Sequence, residues 1–216
     1  PNNWLIGQVS GVAIDSKDHV WIIHRPKSLG IDEAISSLLP KELPYSPAPS
    51  IIEFDPNGKI IQAWGNSGNG SNWPDCEHGI FIDYKDNIWI GGFTDHQVFK
   101  FSPDGTLLLQ IGKAGKTGGS NNTTLLGGPT DFDVDPETDE VYIADGYVNH
   151  RVIVFDATTG EYKRHWGAYG NKPDDSFQVS YNSAKSSPLQ FANPVHAVRI
   201  SNDGLVYVCD RTNNRI

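Results

Sequence analysis

PTDFDVDPETDEVYIADGYVNHRVIVFDATTGEYKRHWG, residues 129–167, consists of four short apolar or alternating runs broken by Asp, Gly and Pro turns. They are PTDFDVD, EVYIADG, HRVIVFDATTG and EYKRHWG, and this pattern reads as a four-stranded antiparallel meander. The same order recurs on either side. Upstream it reads EHGIFID (77–83), NIWIGG (87–92), HQVFKFSPDG (96–105) and TLLLQIG (106–112). Further upstream it reads SGVAID (10–15), HVWIIHR (19–25), SIIEFDPNG (50–58) and KIIQAWG (59–65). Downstream, VHAVRIS (195–201) and GLVYVCDR (204–211) begin a fourth copy that reaches NNRI (213–216). The only window with helical periodicity is DEAISSLL (32–39).

Four-stranded units repeated at this period predict an all-β fold, a β-propeller, which typically has about four to eight blades. Residues 1–216 form one domain in this reading. Blade 1 spans about 7–65, blade 2 about 76–112, blade 3 about 127–167, and a partial blade 4 covers 192–216. Three and a half blades cannot close a ring and would leave an exposed strand edge, so the chain is expected to be a piece of a longer protein.

The first strand of each unit carries one position five residues before its end. It is Ser10, His78, Thr130 and His196 in turn. In a ring of blades these positions face a common axis, and neutral imidazoles converging on a point are suited to a zinc-like metal. The loop after the second strand opens on the same face. It brings His24-Arg25, Gly92-Phe93, Asp145-Gly146-Tyr147 and Asp210-Arg211 to the mouth. Arg25 and Arg211 can grip a carboxylate with paired hydrogen bonds. Tyr147, beside a metal and an arginine, can act as a general base. His19, His96, His150 and His165 fall outside both positions and suit surface or inter-blade roles.

Composition narrows the partners. The net charge is −9 with no basic stripe, which argues against nucleic acid and anionic membrane surfaces. No apolar run approaches the roughly 20 residues of a membrane span. Gly and Pro total 22 and 14 and fall in turns rather than in a low-complexity segment. Cys76 and Cys209 lie in different strand types of non-adjacent blades and read as free thiols.

The pattern D-G-x-x-N-x-R-V/I-x-V-F, from Asp145 to Phe155 and again in CDRTNNRI, resembles the NHL family of six-bladed propellers. More narrowly, GQVSGVAIDSKDHVWIIHR (7–25), EHGIFID, HQVFKFSPDG and GPTDFDVDPETDEVYIADGYVNHRV (128–152) resemble the peptidyl-α-hydroxyglycine α-amidating lyases. The likeness leaves out the insertions at 26–49, 66–75, 113–126 and 168–191. It implies a lyase that cleaves an N-acyl α-hydroxyglycine to an amide and glyoxylate at an axial zinc, acting on a small-molecule or peptide substrate with a carboxylate. It further implies that His78 and His196 are zinc ligands, with a third histidine in a later blade. Tyr147 would be the base, and Arg25 and Arg211 would bind the carboxylate. A structural calcium would be held through the backbone carbonyls of Val12 and Ile80. A secreted or periplasmic location is implied as well. Val148 stands where the animal lyases have a disulfide cysteine, and PKELPYSPAPS (40–50) departs from them, so the rim that selects substrate is expected to differ. The rival reading is a non-catalytic NHL propeller that binds or scaffolds. A propeller hydrolase with an axial calcium fits less well, because the axial positions lack carboxylates.

Overall fold

The computed structural model describes residues 3–29, 46–65, 73–177 and 188–216. The window 32–39 and most of 40–50 lie outside them. Strand β1 (Trp4–Leu5) pairs in parallel with β4 (Ser46–Pro47). Blade 1 is the sheet β2 (Gln8–Ile14), β3 (Val20–Arg25), β5 (Ile51–Phe54) and β6 (Ile60–Trp64). Blade 2 is β7 (Glu77–Ile82), β8 (Ile88–Gly92), β9 (Gln97–Phe101) and β10 (Leu107–Gly112). Blade 3 is β11 (Pro129–Asp135), β12 (Glu140–Asp145), β13 (Arg151–Asp156) and β14 (Tyr162–Trp166). A two-stranded sheet of β15 (Val195–Ile200) and β16 (Val206–Asp210) follows. Each four-stranded sheet is an antiparallel meander, and the architecture is all-β and propeller-like.

The tight turns follow from aspartates placed at strand ends. The Asp15 carboxylate accepts the backbone N–H groups of Lys17 and His19, both at 2.9 Å. Asp55 does the same for Asn57 and Lys59, and Asp83 for Lys85 and Asn87. Each carboxylate thereby satisfies two turn donors that the ladder cannot reach.

Packing between blades explains why the middle strands are apolar throughout. Val141 and Ile143 of β12 face blade 2, in a core with Trp89, Phe132, Ile153 and Phe155. Tyr142 and Ala144 of the same strand face the opposite way, packing with Val152, Val154, Val195 and Val198. Trp21, Ile23, Ile80, Ile88, Ile90 and Phe99 fill the space between blades 1 and 2. A strand covered on both faces needs apolar side chains at successive positions, whereas β10, at the outer edge, alternates. Ile143→Ala is therefore expected to cost about 2–5 kcal/mol in urea unfolding. Leu108→Ala, at a position half exposed on β10, should stay within about 0.5 kcal/mol. Equal costs would contradict this account of the core.

Candidate functional site

Every inner strand slips register at one residue, and it is the same residue each time. Val9 pairs with His24 and Gly11 with Ile23, which skips Ser10. Glu77 pairs with Gly92 and Gly79 with Gly91, which skips His78. Thr130 and His196 are skipped in the same way in β11 and β15. A β-bulge releases one residue from the ladder and re-aims its side chain. Here it turns the four repeat-equivalent side chains out of their sheets.

The two bulged histidines meet. Their ring centroids are 5.3 Å apart, and the Nε2 atoms of His78 and His196 lie 3.3 and 3.4 Å from the Tyr147 hydroxyl. His78 Nδ1 lies 2.9 Å from the Thr130 carbonyl. A carbonyl can only accept, so that nitrogen carries the proton and Nε2 keeps its lone pair. The Thr130 hydroxyl lies 2.9 Å from both the Ala144 and Val195 carbonyls and joins blade 3 to β15. Burial lowers the pKa of both histidines, and the positive charges of Arg25 near His78 and Arg211 near His196 act in the same direction. Both rings are thus neutral near pH 7, as metal coordination requires. This donor set fits zinc, and the Thr130 carbonyl fixes the His78 tautomer that leaves Nε2 free to bind it. Among the described residues no third His, Cys, Asp or Glu joins the pair.

Tyr147 reaches this point because its loop is anchored from below. The Asp145 carboxylate is fully buried and accepts from Gly127 N at 2.6 Å, Asn149 Nδ2 at 2.7 Å and Arg151 Nε at 2.8 Å. The buried Arg151 guanidinium also donates to the carbonyls of Ser120, Asn122 and Leu125. Gly146 passes so close to β15 that a Cβ would overlap the Val195 carbonyl. The anchor recurs as Asp210, Asn213 and Arg215 below Arg211. In blade 1, His24 takes that place. It is fully buried, accepts from Gly7 N at 3.1 Å, and has Nε2 2.9 Å from the Pro49 carbonyl.

The arginines divide cleanly. Arg151, Arg164, Arg199 and Arg215 each pair with a carboxylate. Arg25 and Arg211, the other two, pair with none among the described residues. Arg25 Nε donates to the Glu77 carbonyl at 2.6 Å, which fixes the side chain without neutralising it. Arg211 is exposed on the loop after β16. Val12 and Ile80 lie two residues beyond the bulges of adjacent inner strands. Ile80 is buried in the core, whereas the Val12 side chain is exposed. Both cysteines are free, and burial raises the pKa of Cys76.

The sequence brings Phe93 to the mouth without assigning it a role, and it does not pick out Glu77 or the Asp15, His19 and Glu53 group. Phe93 packs on Tyr147 with ring centroids 4.8 Å apart and meets His78 edge-on at 5.5 Å. Buried Glu77 accepts from Ser50 Oγ and Trp73 Nε1. At the opposite end of blade 1, ligand atoms of Asp15, His19 and Glu53 lie within 4.8 Å of one another. In that group His19 Nδ1 bonds Glu53, Trp21 bonds Asp15, and Gln62 bonds Glu53, so its polar atoms satisfy one another. A cavity of about 680 Å³ lies against β16, between Trp166, Phe191, Tyr207 and Arg215, and neither axial histidine lines it.

The fold and this repeated site define a propeller built of repeated four-stranded blades, and residues 126–155 match the NHL repeat. The chain is 32% identical to peptidyl-glycine alpha-amidating monooxygenase of Mus musculus, over 98% of its own length and 20% of that protein's. It is 35% identical to peptidyl-alpha-hydroxyglycine alpha-amidating lyase 2 of Drosophila melanogaster, over 70% of this chain and 36% of the relative. NHL repeat-containing protein 3 of Homo sapiens is 30% identical over 78% of this chain and 44% of its own. The chain thus spans less than half of each of these relatives. Among solved structures, a Bacteroides thetaiotaomicron protein of unknown function superposes with a TM-score of 0.63 at 14% identity, covering 97% of this chain and 46% of its own. Virginiamycin B lyase of Staphylococcus aureus superposes with a TM-score of 0.53 at 12% identity, covering 96% and 50%. These two likenesses establish the propeller fold. No helix among the described residues is long and apolar enough to cross a membrane.

The anchor below Tyr147 is directly testable. Arg151→Met leaves the Asp145 charge buried without its partner, so about 3–5 kcal/mol of stability should be lost. Thermal or urea unfolding checks this, and a change below about 1 kcal/mol would show that the anchor contributes little.

Proposed function

We propose that the protein is a zinc-dependent lyase of the amidating type, which cleaves an N-acyl α-hydroxyglycine-like substrate to an amide and glyoxylate. The observation that carries this reading is the convergence of two imidazole Nε2 atoms on the Tyr147 hydroxyl, beside Arg25 and Arg211, which have no carboxylate partner among the described residues. A relative named as an alpha-amidating lyase, at 35% identity, and one named as an alpha-amidating monooxygenase, at 32%, support it. His78 and His196 would hold the zinc with a further ligand from outside the described residues. When bound, zinc supplies a Lewis acid for the substrate hydroxyl.

The remaining roles belong to the chain. Arg25 and Arg211 bind and orient the substrate carboxylate. Tyr147 Oη accepts the hydroxyl proton as the oxygen closes to a carbonyl and the carbon–nitrogen bond breaks. The bond's electron pair goes to nitrogen, which gains a proton and leaves as the amide. Overall one proton moves from oxygen to nitrogen, and no water is consumed. The buried anchors of Asp145 and Asp210 hold the Tyr147 and Arg211 loops in place, which is what the orientation requires. A calcium held by the Val12 and Ile80 carbonyls and a secreted or periplasmic location belong to the same proposal.

A non-catalytic binding propeller is the second reading, favoured by the 30% identity to NHL repeat-containing protein 3. Glyoxylate release from an N-acyl-α-hydroxyglycine separates the two. Turnover should depend on zinc, disappear on chelation, and fall by about 10²–10⁴-fold in Tyr147→Phe. His78→Ala should lose both zinc and activity. Full activity in both variants would refute the lyase assignment, and absence of both zinc and turnover would leave a binding propeller.

A further inference from the structure

The register that aligns the bulges also aligns the residues at the mouth. Val9, Glu77, Pro129 and Val195, each one residue before a bulge, pair with His24, Gly92, Asp145 and Asp210. The next residue opens onto the site. It is Arg25 in blade 1, Phe93 in blade 2 and Arg211 after β16, while blade 3 inserts Gly146 and presents Tyr147. Two guanidiniums and a phenol are polar and have roles in the reaction above. The fourth place holds a phenyl ring.

That ring is not part of a core. Among the described residues Phe93 belongs to none of the three apolar clusters, and it is half-buried. Its position is nonetheless fixed. It is tilted 40° against Tyr147 and lies at 75° to His78, both favourable aromatic arrangements. The two glycines before it admit no side chain, because a Cβ on Gly91 would crowd Phe132 and one on Gly92 would overlap Asp95 and Pro74. A held, partly open aromatic surface beside a polar site is the usual form of an apolar subsite.

We propose that Phe93 is a specificity-determining wall, selecting substrates whose acyl group carries a bulky apolar substituent. This rests on the lyase reading, which places the carboxylate at Arg25 and Arg211. The hydroxyl then faces Tyr147 and the histidines, and the acyl group is left to meet the phenyl ring.

The test uses N-benzoylglycine and N-acetylglycine, which keep the amide and carboxylate but lack the reacting hydroxyl. Calorimetry on the zinc-loaded protein should show the benzoyl compound binding about tenfold more tightly. That ratio should fall to about one in Phe93→Ala and stay intermediate in Phe93→Leu, which fills most of the volume. An unchanged ratio in Phe93→Ala, a ratio near one in the wild type, or failure of both compounds to bind would each overturn the proposal. Glyoxylate release from N-benzoyl-α-hydroxyglycine separates the two claims. No release with the binding ratio intact removes the lyase reading and leaves the wall as an apolar subsite. Release without a binding preference removes the wall alone.

Discussion

One backbone irregularity, repeated four times, organises this molecule. A regular antiparallel ladder sends successive side chains to the two faces of a sheet, and in stacked blades both faces are core. A polar residue meant for the axis has no place in such a ladder. The bulge at Ser10, His78, Thr130 and His196 provides one by leaving a single residue unpaired in each inner strand. The same irregularity allows the Thr130 carbonyl to meet His78 Nδ1, so one blade's bulge sets the proton position on the next blade's imidazole.

The loops above the bulges obey a different constraint. They carry the residues that face a substrate, yet they are joined to strands by only a few residues. Asp145 and Arg151 are both fully buried, and such a pair is tolerable only when nearly every remaining donor and acceptor is satisfied. Backbone N–H and carbonyl groups of the neighbouring loop meet most of that demand. Blade 2 lacks this arrangement. Gly92, Asp95 and Gln97 occupy the corresponding stretch without an ion pair, and among the described residues Asp95 Oδ1 and Gln97 Nε2 are buried without partners there, as Asn149 Oδ1 and Asn213 Oδ1 are in the anchored loops.

Much of this was legible in the residues. The recurrence of apolar runs and Asp turns exposes the blades, because each run must bury two faces and each turn needs its own acceptor. Positional equivalence then picks out His78, His196, Tyr147, Arg25 and Arg211, since equivalent places in a meander share an end of the blade. The bulge was not legible. The residues around it are Val-Ser-Gly, Glu-His-Gly, Pro-Thr-Asp and Val-His-Ala, which share no local signature, and the slip exists only in the pairing of two strands. His24 was equally opaque, because its burial depends on Gly7 and Pro49, which approach it from distant points of the chain. The Asp15, His19 and Glu53 group is likewise assembled by register, with Trp21 opposite Glu53.

Arg151 holds its neighbouring loop through three main-chain oxygens, on Ser120, Asn122 and Leu125, and none of these bonds reads a side chain. Side-chain contacts are concentrated at a few positions of that segment: Ser120 accepts from His150 N, Asn122 Oδ1 caps its own turn, and Leu126 is in the core. Over evolutionary time the exposed positions around them, such as Lys113, Ala114, Lys116, Thr117 and Thr123, can drift in charge, size and polarity without disturbing the tyrosine next door. A rim able to change its chemistry above an unchanging frame lets one scaffold be retuned to new molecules by ordinary point substitutions.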